Sequence, residues 1–242
     1  MRVLVVGASG ATGRLLVGQL LGRGAEVRII ARPGTKLPAA LEGAARLEVV
    51  RGAITALDAA ELGRHVTGCE AIASCLGHTM TLAGIYGRPR DLVTEAMRRL
   101  CAAVAANKPA SPVRLVLMNT AGNANRDLDE KVSLAERAAV GLVRALLPPH
   151  RDNEAASDVL RRDIGQHDRW IEWAVVRPDT LIDAPEVTPY EAFASPTRSA
   201  IFNPGRTSRI NVAAFMAELI TDPACWARWK GQMPVLYNRE AG

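Results

Sequence analysis

Short, continuous apolar runs recur along the chain: RVLVV at 2–6, EVRIIAR at 26–32, RLEVVRG at 46–52, CEAIASCLG at 69–77, PVRLVLMNT at 112–120 and IEWAVVRP at 171–178. Each is too short for a buried helix and is written as a continuous apolar run, which predicts strands covered on both faces. Between them apolar positions switch to helical spacing. ATGRLLVGQLLGRG, at 11–24, carries Leu15, Leu16, Leu20 and Leu21 on one stripe before a glycine stop. Residues 55–66, 91–106, 129–147 and 153–165 read as further helices. Strand and helix alternating in this way predict an α/β fold, a doubly wound parallel sheet with helices on both faces.

The pattern changes at 178. Residues 179–205 are rich in Pro, Ser and Thr with isolated aromatics, which predicts an irregular segment over the C-terminal edge of the sheet. A helix at 210–222 and a last strand, MPVLYN at 233–238, follow. No repeat or low-complexity segment stands out and no domain boundary is drawn, so residues 1–242 are expected to form one domain, with 178–210 building much of a substrate pocket. All aromatics except Tyr86 lie from Trp170 onward, which assigns scaffold to the first part and pocket to the second.

The decisive local motif is GASGATG at 7–13, lying between the first strand and the first helix. Glycines let the backbone turn tightly and approach a diphosphate, while the helix start supplies free N–H groups and a positive dipole end. Gly7, Ser9, Gly10, Ala11, Thr12 and Gly13 therefore predict a Rossmann-type dinucleotide site. The second strand delivers Arg32, with Lys36 close behind, where a carboxylate would grip an NAD ribose. A guanidinium suits a 2′-phosphate instead, so NADP(H) is the expected cofactor.

Composition narrows the remaining classes. The net charge of +5 is spread among acids with no Lys/Arg run, so no nucleic-acid partner is expected. No apolar run is long enough to span a bilayer, and Met1 leads directly into the first strand, which predicts a protein without a membrane partner. Cys69, Cys75, Cys101 and Cys225 show no paired spacing and fit a reducing, cytoplasmic setting. His and Cys spacing predicts no metal site.

The chain resembles the atypical short-chain dehydrogenase/reductases, the group with flavin and biliverdin-type NADPH reductases and NmrA-like regulators. The resemblance rests on GASGATG, IIARPGTKLP at 29–38, CLG at 75–77, MNTAG at 118–122 and EWAVVRPDTL at 172–181, and spans nearly the whole chain. It implies that Ser9, Gly10 and Thr12 hold the diphosphate, Arg32 the 2′-phosphate, and Ala53 with Ile54 flank the adenine. Here RGA at 51–53 replaces the Gly-Asp of many relatives. Leu76, Gly77 and His78 would run along the cofactor, Asn119 and Thr120 lie by the nicotinamide ribose, and Pro178, Asp179 and Thr180 cover the nicotinamide. Thr120 would be aimed at a substrate oxygen.

Aligned on the family's Tyr-x-x-x-Lys pair, the chain carries Pro149 at the Tyr position and Asn153 at the Lys position. Flavin and biliverdin-type reductases also lack the pair, since a conjugated acceptor takes hydride with little help from an enzyme acid. The stretch PPHRDNE at 148–154 is then either a helix cap, with Asp152 and Glu154 compensating the dipole, or an active-site edge. In the second reading Asn153 bonds the cofactor ribose or a water, and His150 donates a proton with Asp152 orienting it. Tyr86 and Tyr190 are candidate substrate contacts. The expected activity is NADPH-dependent reduction of a small flavin, quinone or similar acceptor. A non-catalytic NADP sensor of NmrA type, or a redox-neutral isomerase or cyclase, are the alternatives, and the oligomeric state stays open.

Overall fold

The computed structural model describes residues 1–78, 81–128, 130 and 133–239. Its elements are β1 (Arg2–Val6), α1 (Gly13–Gly22), β2 (Glu26–Ala31), β3 (Leu47–Arg51), α2 (Ala59–Val66), β4 (Ala71–Ser74), α3 (Leu82–Tyr86) and α4 (Leu92–Asn107). There follow β5 (Val113–Met118), α5 (Leu134–Leu146), α6 (Pro148–Asp158), β6 (Ile171–Pro178), β7 (Thr180–Ile182), β8 (Tyr190–Phe193), β9 (Arg206–Ser208), α7 (Arg209–Thr221), α8 (Pro223–Trp229) and β10 (Val235–Asn238).

The main sheet has the order β3-β2-β1-β4-β5-β6-β10-β8. Its strands pair in parallel except β8, which runs antiparallel to β10. Successive residues of β1 feed opposite faces. Val3 and Val5 join a core with α1, α7 and α8, whereas Leu4 and Val6 join a second core with α2, α4 and α6. This two-sided burial explains why the strands read as unbroken apolar runs. The chain reverses its direction of winding between β1 and β4, and in open α/β sheets the ligand crevice lies at the carboxyl ends of such neighbours. The two ends meet closely: a Cβ at Gly7 would stand 2.5 Å from the Cys75 carbonyl.

The segment expected to be irregular contains two short strands, β7 and β8, and a third, β9, follows it directly. β8 closes the edge of the main sheet, and β7 pairs with β9 in a separate two-stranded ribbon. Pairs this short leave little periodic signal. The start of the helix expected at 129 lies outside the described residues, and the helix described there begins at Leu134. The helix expected from 153 begins earlier, at Pro148, where proline is tolerated because the first-turn N–H groups lack partners in any case, and it runs on into a π-helical turn at Val159–Ile164.

Arg177 ties the C-terminal part together. It is fully buried at the end of β6, donates to the carbonyls of Met233 (2.6 Å), Asn123 (2.8 Å) and Ala194 (3.1 Å), and pairs with Glu130 at 2.7 Å. Arg177→Met should lower unfolding free energy by about 3–5 kcal/mol because it strands the Glu130 carboxylate in the interior. Adding Glu130→Leu should restore a large part of that loss in urea denaturation. A double variant no more stable than the single one would show that the ion pair is not the source.

Candidate active site

The glycine turn is built by steric demand. Gly7 has φ +76, and at Gly13 a Cβ would collide with the Gly7 carbonyl and lie 3.0 Å from Ala8 Cα. The Gly10 N–H bonds the Gly7 carbonyl at 3.0 Å, closing the turn, while Ser9, Gly10 and Ala11 stay exposed. Thr12 begins α1 without a side-chain cap, and no acid occupies the first turn. The helix thus presents uncompensated N–H groups at the crevice, an arrangement that fits a diphosphate.

Arg32 and Lys36 are exposed just beyond β2. Ile54, after β3, is buried in the core with Ile30 and Val6, and Ala53 beside it is half-buried. At the end of β5, the Asn119 amide donates to the Asn153 carbonyl at 2.8 Å and its oxygen accepts from the Thr120 N–H at 2.9 Å. Asn123 continues the chain to Ser157 at 2.8 Å. The β5 end is thereby locked to α6 through buried amides.

A cavity of about 260 Å³ is lined by Thr120, Gly122, His150, Asp179, Thr180 and Ile201, among others. It brings Thr120 and His150 together: a Cβ on Gly122 would lie 3.6 Å from His150 Cε1 and 3.8 Å from Thr120 Oγ1. The Asp179 carboxylate accepts from Thr180 N at 2.8 Å and Gly205 N at 2.9 Å. Burial raises its pKa, and those two N–H bonds oppose the rise.

His150 is nine-tenths buried, and its Nε2 lies 3.5 Å from Glu154 Oε1, an electrostatic contact rather than a made hydrogen bond. Burial depresses its pKa below the ordinary 6.5, Arg144 adds to that, and Glu154 opposes it. Arg144 Nε reaches Glu154 Oε2 at 2.9 Å and Arg126 Nη2 reaches the same oxygen at 3.6 Å.

Asp152 does something else than expected. It does not orient His150, and neither it nor Glu154 caps its own helix. One Asp152 oxygen accepts from Val93 N at 2.8 Å and faces His78 Nε2 at 2.8 Å; the other accepts from Thr94 N at 2.9 Å and Thr94 Oγ1 at 2.6 Å. It is the cap of α4, whose own Asp91 makes no such bond. Because a carboxylate only accepts, His78 presents Nε2 as an N–H.

The tyrosines are dispersed. Tyr86 is exposed at the end of α3 and its hydroxyl donates to the Leu146 carbonyl at 3.3 Å. Tyr190, in edge strand β8, packs edge-on against Phe215 of α7 with centroids 6.1 Å apart and is not among the lining of either cavity at this end of the sheet. A larger cavity of about 850 Å³ adjoins the first through Gly122, Val140 and Ala200, and residues 196–200 and Phe202 line it. Of its charged residues, Arg126, Arg144, Arg198 and Glu130 escaped the sequence reading, and Glu154 entered it only as an acid at the start of a helix. The i,i+4 spacing of His150 and Glu154 was the one available signal. Among the described residues no His/Cys/Asp/Glu cluster could hold a metal, and no helix is long and apolar enough to cross a membrane.

The sequence profile of the NAD(P)H-binding family matches residues 7–223. The chain belongs to that family. No curated protein sequence is significantly similar to it. Among solved structures, this NAD(P)H-binding protein is similar to an oxidoreductase from Lactococcus lactis, with 14% identity, TM-score 0.70 and coverage of 100% of this chain and 93% of the other. A wide-type short-chain dehydrogenase/reductase from Veillonella parvula, solved in complex with NADP, has 15% identity, TM-score 0.70 and coverage of 98% and 94%. An anaerobilin reductase from Escherichia coli O157:H7 has 19% identity, TM-score 0.68 and coverage of 100% and 99%. All three share its fold.

The α6 geometry of the NAD(P)H-binding chain generates a direct test. Asp152→Ala removes four polar contacts from a buried site and uncaps α4, and should cost about 3 kcal/mol of stability. His78 should then become mobile, visible as broadened imidazole resonances. An Asp152→Ala protein with the parent's denaturation midpoint and a still-ordered His78 would contradict the assigned role.

Proposed function

We propose that this protein is an NADPH-dependent reductase delivering hydride to a small conjugated or carbonyl acceptor, such as a flavin or quinone. One observation carries the reading: His150 Nε2 is buried, has no hydrogen-bond partner among the described residues, and belongs to the lining of the cavity that Thr120 and Thr180 share. A buried polar atom without a partner is costly, and a turn of the imidazole toward the cavity would let a ligand oxygen remove that cost.

In this reading Ser9, Gly10, Ala11 and Thr12 grip the diphosphate through the α1 N-terminus, while Arg32 and Lys36 take the 2′-phosphate. Ala53 and Ile54 border the adenine; Leu76, Gly77 and His78 run along the cofactor, with His78 held in one orientation by Asp152. Asn119, Asn153 and Pro178 to Thr180 frame the nicotinamide end. Bound NADPH supplies the hydride. Thr120 orients the acceptor oxygen, and His150 donates a proton to the charge that develops there. Asn153 is neutral and gives no help in shifting a neighbour's pKa, so proton donation falls to His150.

The test follows the nicotinamide absorbance of NADPH during incubation with flavins, quinones and dicarbonyls. Steady consumption is expected with at least one, and an unchanged band across the panel would favour binding without turnover. NADPH should bind roughly tenfold or more tighter than NADH, since a charge-assisted contact contributes about 1.5–3 kcal/mol, and Arg32→Ala should erase the preference. Thr120→Val and His150→Gln should keep NADPH affinity yet lose about a hundredfold in turnover. Because the His150 pKa is lowered and the acid must be protonated to donate, turnover should rise as pH falls below 6.5, and this rise should vanish in His150→Gln.

A further inference from the structure

The face of α6 that carries Asp152 borders a different cavity from the one that holds His150. Its volume is about 1030 Å³, and three segments build it: Thr55 just past β3, residues 88–91 with Thr94 and Arg98 of α4, and Pro148, Arg151, Asp152 and Ala155 of α6. These walls are fastened to one another. Asp152 ties α6 to α4 through the Thr94 N–H and hydroxyl, and Arg99 of α4 donates to the Thr55 carbonyl at 3.3 Å.

Four arginines line the cavity, Arg88, Arg90, Arg98 and Arg151, against the carboxylates of Asp91 and Asp152. Asp152 is buried and already receives four donors, so it has little to offer the arginines. The other acids of these segments are engaged elsewhere: Glu95 faces Arg99 at 3.6 Å, Asp58 caps α2, and Glu154 and Asp158 meet Arg126 at 3.6 and 3.3 Å. Residues 53–58, 86–98 and 148–158 are described throughout, so every charge along them is in this balance. Arg90 is held in place, donating to the Tyr86 carbonyl at 3.3 Å from both Nε and Nη2. Arg88, Arg98 and Arg151 are exposed and make no hydrogen bond or ion pair with any described residue. By contrast Arg2, Arg28 and Arg209 each sit on a carboxylate. Cations gathered on a concave wall repel one another and concentrate anions there.

We infer that this cavity binds a small molecule carrying two or more linked phosphate groups, anchored by Arg88, Arg98 and Arg151. Guanidinium forks that project from a loop and two helices approach from different directions, which suits the tetrahedral oxygens of linked phosphates better than the single plane of a carboxylate. The site is separate from the cofactor path proposed above, since neither Arg32, Lys36 nor the GASGATG turn lines it, and it stands whether or not the reductase reading holds.

The test is calorimetric titration of the whole protein with inorganic pyrophosphate and, at matched ionic strength and without divalent cations, with citrate. Pyrophosphate should bind once per chain and about tenfold or more tighter than citrate, and saturating NADP⁺ should change its affinity by less than about twofold. Arg98→Met and Arg151→Met should each weaken it about tenfold or more at an unchanged melting temperature, as loss of a charge-assisted contact requires, while Arg32→Ala should alter it by less than about twofold. No measurable binding overturns the inference, as does citrate binding as tightly as pyrophosphate. So does displacement of pyrophosphate by NADP⁺, or an affinity that falls in Arg32→Ala but is untouched in both cavity variants.

Discussion

The buried Asp152 carboxylate sets the orientation on which the functional end of the molecule depends. Four donors converge on its two oxygens, two of them backbone N–H groups at the start of α4. That geometry fixes which way α6 faces. With 3.6 residues per turn, positions 150 and 154 lie within about 40° of each other and roughly 160–200° from position 152. Turning Asp152 inward against α4 therefore turns His150 and Glu154 the other way, toward Gly122 and Thr120. The same contact fastens His78, past the end of β4, to the helix that carries the opposite wall.

The Asn119 amide locks the arrangement from the sheet side. Its bond to the Asn153 carbonyl joins β5 to α6 one residue beyond the Asp152 clamp, and Asn123 repeats the connection one turn later through Ser157. Polar groups with fully made bonds in a low-dielectric interior hold position firmly. Against that frame the unmade bond of His150 stands out. Burial works against its protonated state while Glu154 works for it, which leaves the imidazole responsive to whatever oxygen arrives.

Much of the scaffold was legible because its signals are local. GASGATG between a strand and a helix specifies the turn by steric need alone, and the structure shows that a Cβ at Gly7 or Gly13 has no room. The helix expected over 91–106 is α4 at Leu92–Asn107. What escaped depends on residues distant in sequence. Asp152 does cap a helix, but the N–H groups it receives lie 58 and 59 positions away, so no local pattern could reveal which helix it serves. Tyr190 and the strands β7 to β9 were hidden for a similar reason, since three- and four-residue pairings among prolines and serines carry too few positions to show alternation. The arginines that line the larger cavity likewise come from three separate segments, at 126, 144 and 198.

In the proposed function this frame holds an NADPH whose hydride leaves from one defined face toward an acceptor beside Thr120 and His150. The most direct measurement uses NADPH deuterated on one or the other face of nicotinamide C4, with the acceptor that oxidises it fastest, and reads the mass of the NADP⁺ formed. A fixed site predicts that one labelled form loses its deuterium completely and the other keeps it. Equal loss from both forms, or an acceptor chemically changed while the cofactor stays reduced and fully labelled, would contradict it.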